Sequence, residues 1–181
     1  MKTDDAKSHT HAELDAQVAS HPFFFGLKPE HIRLLTDCAM ATQFERDQII
    51  FRAGETANRF YLVEHGHVNL EAGDEDKPVI IDRIGAGDLL GWSWIFPPYK
   101  WHFGARATEP TGAIFFYGTI LREYCEKDPA LGYELFKRMS EIMIKRLQRA
   151  RGELIATLVP KKKKSVPDKT EDEKDAASGS N

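Results

Sequence analysis

The chain has 181 residues, a formal net charge of -3 and a pI near 6.2, which supports one domain with a sizeable core and argues against nucleic acid as a default partner. Cys38 and Cys125 are its two cysteines, too few and too far apart for a disulfide framework or a thiolate metal cluster. The polar start MKTDDAKSHTHAELDA has no apolar core of signal-peptide length, and no later run approaches the ~20 apolar residues that span a bilayer, so the expectation is a soluble, cytoplasmic protein without a membrane partner.

Residues 1–11 are expected to be loose. The pattern AELDAQVA suits a short helix over residues 12–19, which SHPFFFGL breaks with Pro22 and Gly26 while presenting Phe23, Phe24 and Phe25 as a plug for one end of a core. KPEHIRLLTDCA reads as a second helix, with Pro29 and Glu30 in its first turn and Ile32, Leu34 and Leu35 as its buried stripe. After Met40 the chain turns to short aliphatic and aromatic runs punctuated by glycine, the signature of an all-β sandwich or barrel. Within it YLVEHGHVNL reads as two strands joined in a hairpin at Gly66.

Helical character returns at Thr119, a candidate N-cap, and Pro129 opens a long helix. Leu135, Phe136, Met139, Ile142, Met143, Leu147, Ala150 and Leu154 recur there at spacings of three and four. A stripe that outruns its own domain predicts a parallel homodimer through this C-terminal helix, with Met143, Leu147 and Leu154 near the seam. From Pro160 onward the lysine run 161–164 and the acids behind it leave almost nothing apolar to bury, so residues 160–181 are expected to form a disordered charged tail. The fold class is therefore α+β: an antiparallel, jelly-roll-like β roll flanked by N-terminal helices and a long C-terminal helix, within one domain over residues 12–159.

His65, His67 and Glu71 have the order and spacing of the first metal motif of cupin barrels, and two imidazoles with a carboxylate are ligands a catalytic metal uses. The following segment PVIIDRIGAGDLLG lacks the further histidine that completes such a site, so no metal is expected and a cupin-type metal enzyme is the most distant reading. There is no G-x-S-x-G elbow, and Ser93 has no base beside it in sequence. No catalytic residues and no enzyme activity are expected.

All three tryptophans lie in GAGDLLGWSWIFPPYKWHFGARATE, where large rings on an open loop would invite association unless they are core or line a pocket. Gly85 and Gly87 allow a tight turn after a strand. Gly91 precedes an expected single helical turn over residues 92–96, stopped by Pro97 and Pro98, whose free amides would form an anion site.

In order, HPFFFGLKPEHIRLL, IIFRAGETANRFYLVEHGHVNL, IDRIGAGDLLGWSWIF and ARATEPTGAIFFYGTILREY with a long final helix resemble the cyclic nucleotide-binding domain, over residues 23–158. The resemblance implies a β roll between helices, with a phosphate-binding cassette between two roll strands. Members that bind cyclic AMP or cyclic GMP carry a glutamate after the cassette glycine for the ribose hydroxyl, and an arginine nine or ten residues later for the cyclic phosphate. Here Trp92 stands at the glutamate position, and the arginine position falls on Trp101 or His102. Lys100 and Arg106 are nearby cations outside that slot. Losing both bonds would weaken affinity by about two to four orders of magnitude.

The ligand site implied by the resemblance comprises Gly87, Gly91, Trp92, Ser93 and Trp94 on one limb of the loop and Lys100, Trp101, His102, Phe103 and Arg106 on the other. No resident cofactor is expected; the occupant is a cyclic nucleotide or another small ligand. About twenty polar residues follow Leu158, too few for a helix-turn-helix, so DNA is not an expected partner. The expected function is a stand-alone regulatory or sensor domain with a divergent, Trp-rich pocket, passing its ligand state to an unidentified effector protein. The alternative is an interaction domain whose pocket is filled and takes no nucleotide.

Overall fold

The computed structural model describes residues 11–74 and 77–158; the expectations for the loose start and the charged tail fall outside them. Helix α1 (His11–Ser20) turns Leu14 and Val18, one turn apart, into the core. Helix α2 (Pro29–Asp37) opens on a proline at its first position, where the missing N–H costs nothing, and buries His31, Leu35 and Thr36. Phe23 and Phe24 enter the core between these helices, whereas Phe25 is 77% exposed, contrary to the three-ring plug expected. Consecutive residues in a tight turn cannot all face one interior.

Eight strands follow: β1 (Ala39–Phe44), β2 (Ile49–Phe51), β3 (Arg59–His65), β4 (Val68–Ala72), β5 (Val79–Ile84), β6 (Leu89–Leu90), β7 (Gly104–Ala107) and β8 (Thr111–Tyr117). They form two antiparallel four-stranded sheets, ordered β1-β8-β3-β6 and β2-β7-β4-β5. The expected hairpin at Gly66 is a corner instead: β3 and β4 belong to different sheets. Gly66 is required there, with φ +83° and with Thr111 Oγ1 where a Cβ would stand.

Strand alternation explains why the central runs are continuously apolar. In β3, Phe60 and Leu62 face the helices while Tyr61 and Val63 face the roll interior; in β8, Ile114 and Phe116 divide from Ala113 and Phe115 in the same way. Even two-residue β6 splits, Leu89 to one side and Leu90 to the other. The first sheet is thus a wall between two cores, and each buried Phe or Leu side chain contributes about 1.5–3 kcal/mol.

Helix α3 (Gly118–Lys127) starts one residue before Thr119, which lies inside it; Tyr117 is the N-cap and makes no side-chain cap bond. Helix α4 (Pro129–Leu158) has a true side-chain cap in Asp128, whose Oδ1 accepts from the Ala130 and Leu131 amides at 3.0 and 3.2 Å. Its other oxygen bonds His31 Nε2 at 3.0 Å, tying α2 to the start of α4. Leu131, Leu135 and Met139 are buried. Residues up to Ile142 form one compact unit, and those from Met143 on a second, in which Ile144, Leu147, Leu154, Ile155 and Leu158 are exposed. No described helix is long and apolar enough to cross a membrane.

Candidate functional site

The loop between β6 and β7 begins at Gly91, whose φ is +85°. A Cβ there would lie 2.6 Å from Trp101 Cζ3, so the bare glycine backbone is what lets that ring in. Trp101 stacks on Phe51 with centroids 3.9 Å apart and planes 13° from parallel, and is 5% exposed. Its backbone is fixed to the β2–β3 connection: the Trp101 amide donates to the Glu55 carbonyl at 3.0 Å, and the Gly54 amide donates to the Trp101 carbonyl at 2.8 Å. The ring is therefore held from both its face and its main chain.

Trp94 occupies the other core. It is 2% exposed, stacks on Phe60 at 5.4 Å, and through Phe60 joins a column that continues to Phe116, Phe24 and Phe23. A Cβ at Gly118 would lie 2.8 Å from Trp94 Cβ, so the ring is seated on the first residue of α3.

Between the two tryptophans the expected helical turn over residues 92–96 is absent. The Ile95 amide donates to the Trp92 carbonyl at 3.1 Å and the Tyr99 amide to the Phe96 carbonyl at 2.9 Å, giving two successive tight turns around a cis Pro97-Pro98 bond. Pro97 and Pro98 lack the N–H donors that would carry a helix past Phe96, so the stretch stays a pair of turns. Arg122 of α3 fastens this stretch: its Nη1 donates to the Trp94 carbonyl at 2.5 Å, and its guanidinium lies 4.3 Å from the centre of the Tyr99 ring. Phe96 meets Phe136 of α4 edge-on at 6.0 Å.

The remaining expected site residues separate. Ser93 is buried and its Oγ lies 3.2 Å from Nδ1 of exposed His102. Lys100 is exposed and bridges backbone to Thr56, Phe103 and Trp92 are half-buried, and Gly87 lies in the turn before β6. Arg106 is committed elsewhere, its Nε donating to Glu71 at 3.1 Å and its Nη1 to the Asp47 carbonyl at 3.3 Å, beside a cavity of about 190 Å³ lined also by Ile49, Arg52 and Gly104. The histidine pair divides too: His67 Nδ1 pairs with Glu109, His65 packs against Gly112, and no three His, Cys, Asp or Glu residues are grouped to hold a metal among the described residues. Burial pushes the Cys38 thiol up to about 12 and that of Cys125 up to about 11, far from a reactive thiolate.

Sequence reading missed Phe51, Arg59, Tyr99 and Arg122. Phe51 was legible as a strand residue but not as the stacking partner of a ring fifty positions away. Arg59 opens β3 on the face of Tyr61, its guanidinium 4.6 Å from the Phe115 ring centre and 5.4 Å from that of Tyr117. Burial raises the Tyr61 phenol, while the neighbouring Arg59 acts in the opposite direction.

The architecture is a helix-flanked β roll with the tryptophan-bearing loop between two-residue β6 and β7. Residues 41–128 match the family model of the cyclic nucleotide-binding domain, and the chain carries a domain of that family. It is 28% identical over 120 residues to a protein named as a potassium channel in Rhodopseudomonas palustris, covering 66% of this chain and 29% of that one. It is 24% identical over 151 residues to the CRP-like cAMP-activated global transcriptional regulator of Mycobacterium tuberculosis, covering 81% and 66%. The chain thus spans less than two thirds of either relative. A crystal structure described as a cyclic nucleotide-binding protein of Geobacter metallireducens superposes with a TM-score of 0.66 at 25% identity, covering 77% of this chain and 98% of that one.

Proposed function

We propose that the chain is a regulatory domain that reads a small ligand other than cyclic AMP or cyclic GMP and passes its occupancy to an effector protein through α3 and α4. The observation that carries this is Trp101, an uncharged ring stacked on Phe51 and packed on Gly91, one of the two positions, with His102, on which the arginine of the family's nucleotide binders falls. A guanidinium there would pair with a cyclic phosphate; an indole cannot. Arg122 and the Phe96–Phe136 contact supply a physical route from loop to helices. Titration calorimetry tests the reading: cyclic AMP and cyclic GMP bind with a dissociation constant above roughly 100 μM, the consequence of two lost polar bonds, and low-micromolar binding overturns it.

The near-complete burial of Trp101 also supports the filled-pocket reading. A thermal-shift screen of nucleotides and aromatic acids decides between them, because a ligand of the folded state raises its melting temperature and a closed pocket yields no shift. We further propose a homodimer through α4 with Met143, Leu147 and Leu154 at the seam. Replacing Leu147 and Leu154 by glutamate then gives a folded monomer in light scattering, and an unchanged dimer places the interface elsewhere.

A further inference from the structure

Arg59 is an arginine on the inward face of a roll strand, alternating with Tyr61 and Val63 of the interior. Its Nε is sealed from water and has no hydrogen-bond partner, and no carboxylate pairs with it among the described residues. Its contacts are the faces of Phe115 and Tyr117. Rings of that kind stabilise a cation, and the Tyr61 phenol lies beside it, but Nε–H is left without an acceptor. A buried guanidinium donor without an acceptor is costly, and folded proteins rarely keep one without a purpose.

Its position gives that purpose. β3 pairs with β6 through Tyr61↔Leu90 and Leu62↔Leu89, and continuing this antiparallel register brings Arg59 level with Trp92. The Arg59 carbonyl lies 3.8 Å from where a Cβ of Gly91 would stand. The backbone of Arg59 therefore runs beside the first residue of the loop, while its guanidinium extends over Phe115 and Tyr117 inside the roll. An oxyanion meets guanidinium best side-on, through Nε–H and one Nη–H together, and Nε is the orphaned atom.

We propose that Arg59 is the anion-binding residue of this site, taking the carboxylate or phosphate of a small flat ligand whose ring lies against the Phe115–Tyr117–Tyr61 face. This deepens the reading of a ligand other than cyclic AMP or GMP and rests on it. Because Nε is covered, the oxyanion reaches it only when the groups around the guanidinium shift.

Phenyl phosphate, benzoate and neutral phenol are the probes, titrated into the full chain. The readouts are the Arg59 Nε–Hε resonance, tryptophan emission and the melting temperature. Phenyl phosphate or benzoate shifts the Arg59 resonance and the emission of the wild type, phenol does neither, and the stronger of the two acids identifies the oxyanion. Arg59→Gln weakens that binding at least about tenfold, the equivalent of one charge-assisted bond, and Arg59→Lys retains part of it. Arg59→Met, which removes an unsatisfied donor, keeps the melting temperature of the ligand-free protein or raises it, a result that a purely structural arginine would not give. An Arg59 resonance unmoved by both acids, or equal binding by Arg59→Gln, overturns the proposal. If Arg59→Gln does not fold, the wild-type resonance and Arg59→Lys decide. Low-micromolar cyclic AMP binding strikes the parent reading alone, since the response of Arg59 to the two acids is measured independently.

Discussion

Trp94 and Trp101 lie seven positions apart on one loop, are buried almost equally, and each covers a glycine at which a Cβ would overlap the tryptophan. Their surroundings differ. Trp94 enters a column of four phenylalanines that joins the first sheet to the helices, whereas Trp101 has one stacked partner and stands in the roll mouth against Gly91. Burial alone does not tell the two rings apart; their neighbours do.

The largest effect expected from this contrast is on stability. Trp94→Ala costs about 3–5 kcal/mol in chemical denaturation, because the cavity opens inside a packed column. Trp101→Ala costs about 2–3 kcal/mol, since water can enter the vacated mouth. Equal losses would erase the distinction. Next in size is a gain of affinity: Trp92→Glu with Trp101→Arg strengthens cyclic AMP binding about tenfold to a hundredfold over wild type in calorimetry. If arginine at His102 succeeds where Trp101→Arg fails, His102 holds the phosphate-facing position.

A smaller effect sharpens the pairing of each ring with its glycine. Gly91→Ala costs about 1–3 kcal/mol through overlap with Trp101, and part of that cost disappears in a Trp101→Ala background but none in a Trp94→Ala background. What remains reflects the positive φ of Gly91.

The smallest effect is acid sensitivity confined to the helix side. Burial holds the His21 imidazole below its ordinary 6.5, opposed in part by the Gly87 carbonyl, so the unfolded chain takes that proton first. The stability from neutral His21 is present above that pH and declines as pH falls below it. The Leu131 amide, then His31 and the Ala130 amide, hold the Asp128 carboxyl below its ordinary 3.8, and its contribution is lost as pH falls through that range. Hydrogen exchange should therefore quicken in α1, α2 and the first turn of α4 before it does in β4 and β7. Uniform loosening of the whole domain would contradict the division into two cores.

Much of the architecture was legible because it depends on local rules. Pro29 and Pro129 open helices, and β3 and β8 read as strands from their apolar runs. Errors arose where local rules compete with distant contacts. Gly66 has the backbone freedom of a hairpin glycine, yet its strands pair with others, and the turn chemistry at Trp92 to Phe96 was overridden by the prolines behind it. The large indole rings of Trp92 and Trp101 were visible in the residue order, but the stacking of Trp101 on Phe51 was not.

The residue order alone carried the helix-flanked β roll, the position of its loop and the concentration of all three tryptophans there. These follow from periodicity, turn residues and residue identity along a continuous stretch. Only the tertiary structure decided that Trp94 is core, that Arg106 is spent on Glu71, that Arg122 fastens the loop, and that Arg59 Nε is buried without a hydrogen-bond partner. Each of those depends on which strands are neighbours and which face a side chain takes, and a one-residue change of register would have turned Arg59 away from the interior.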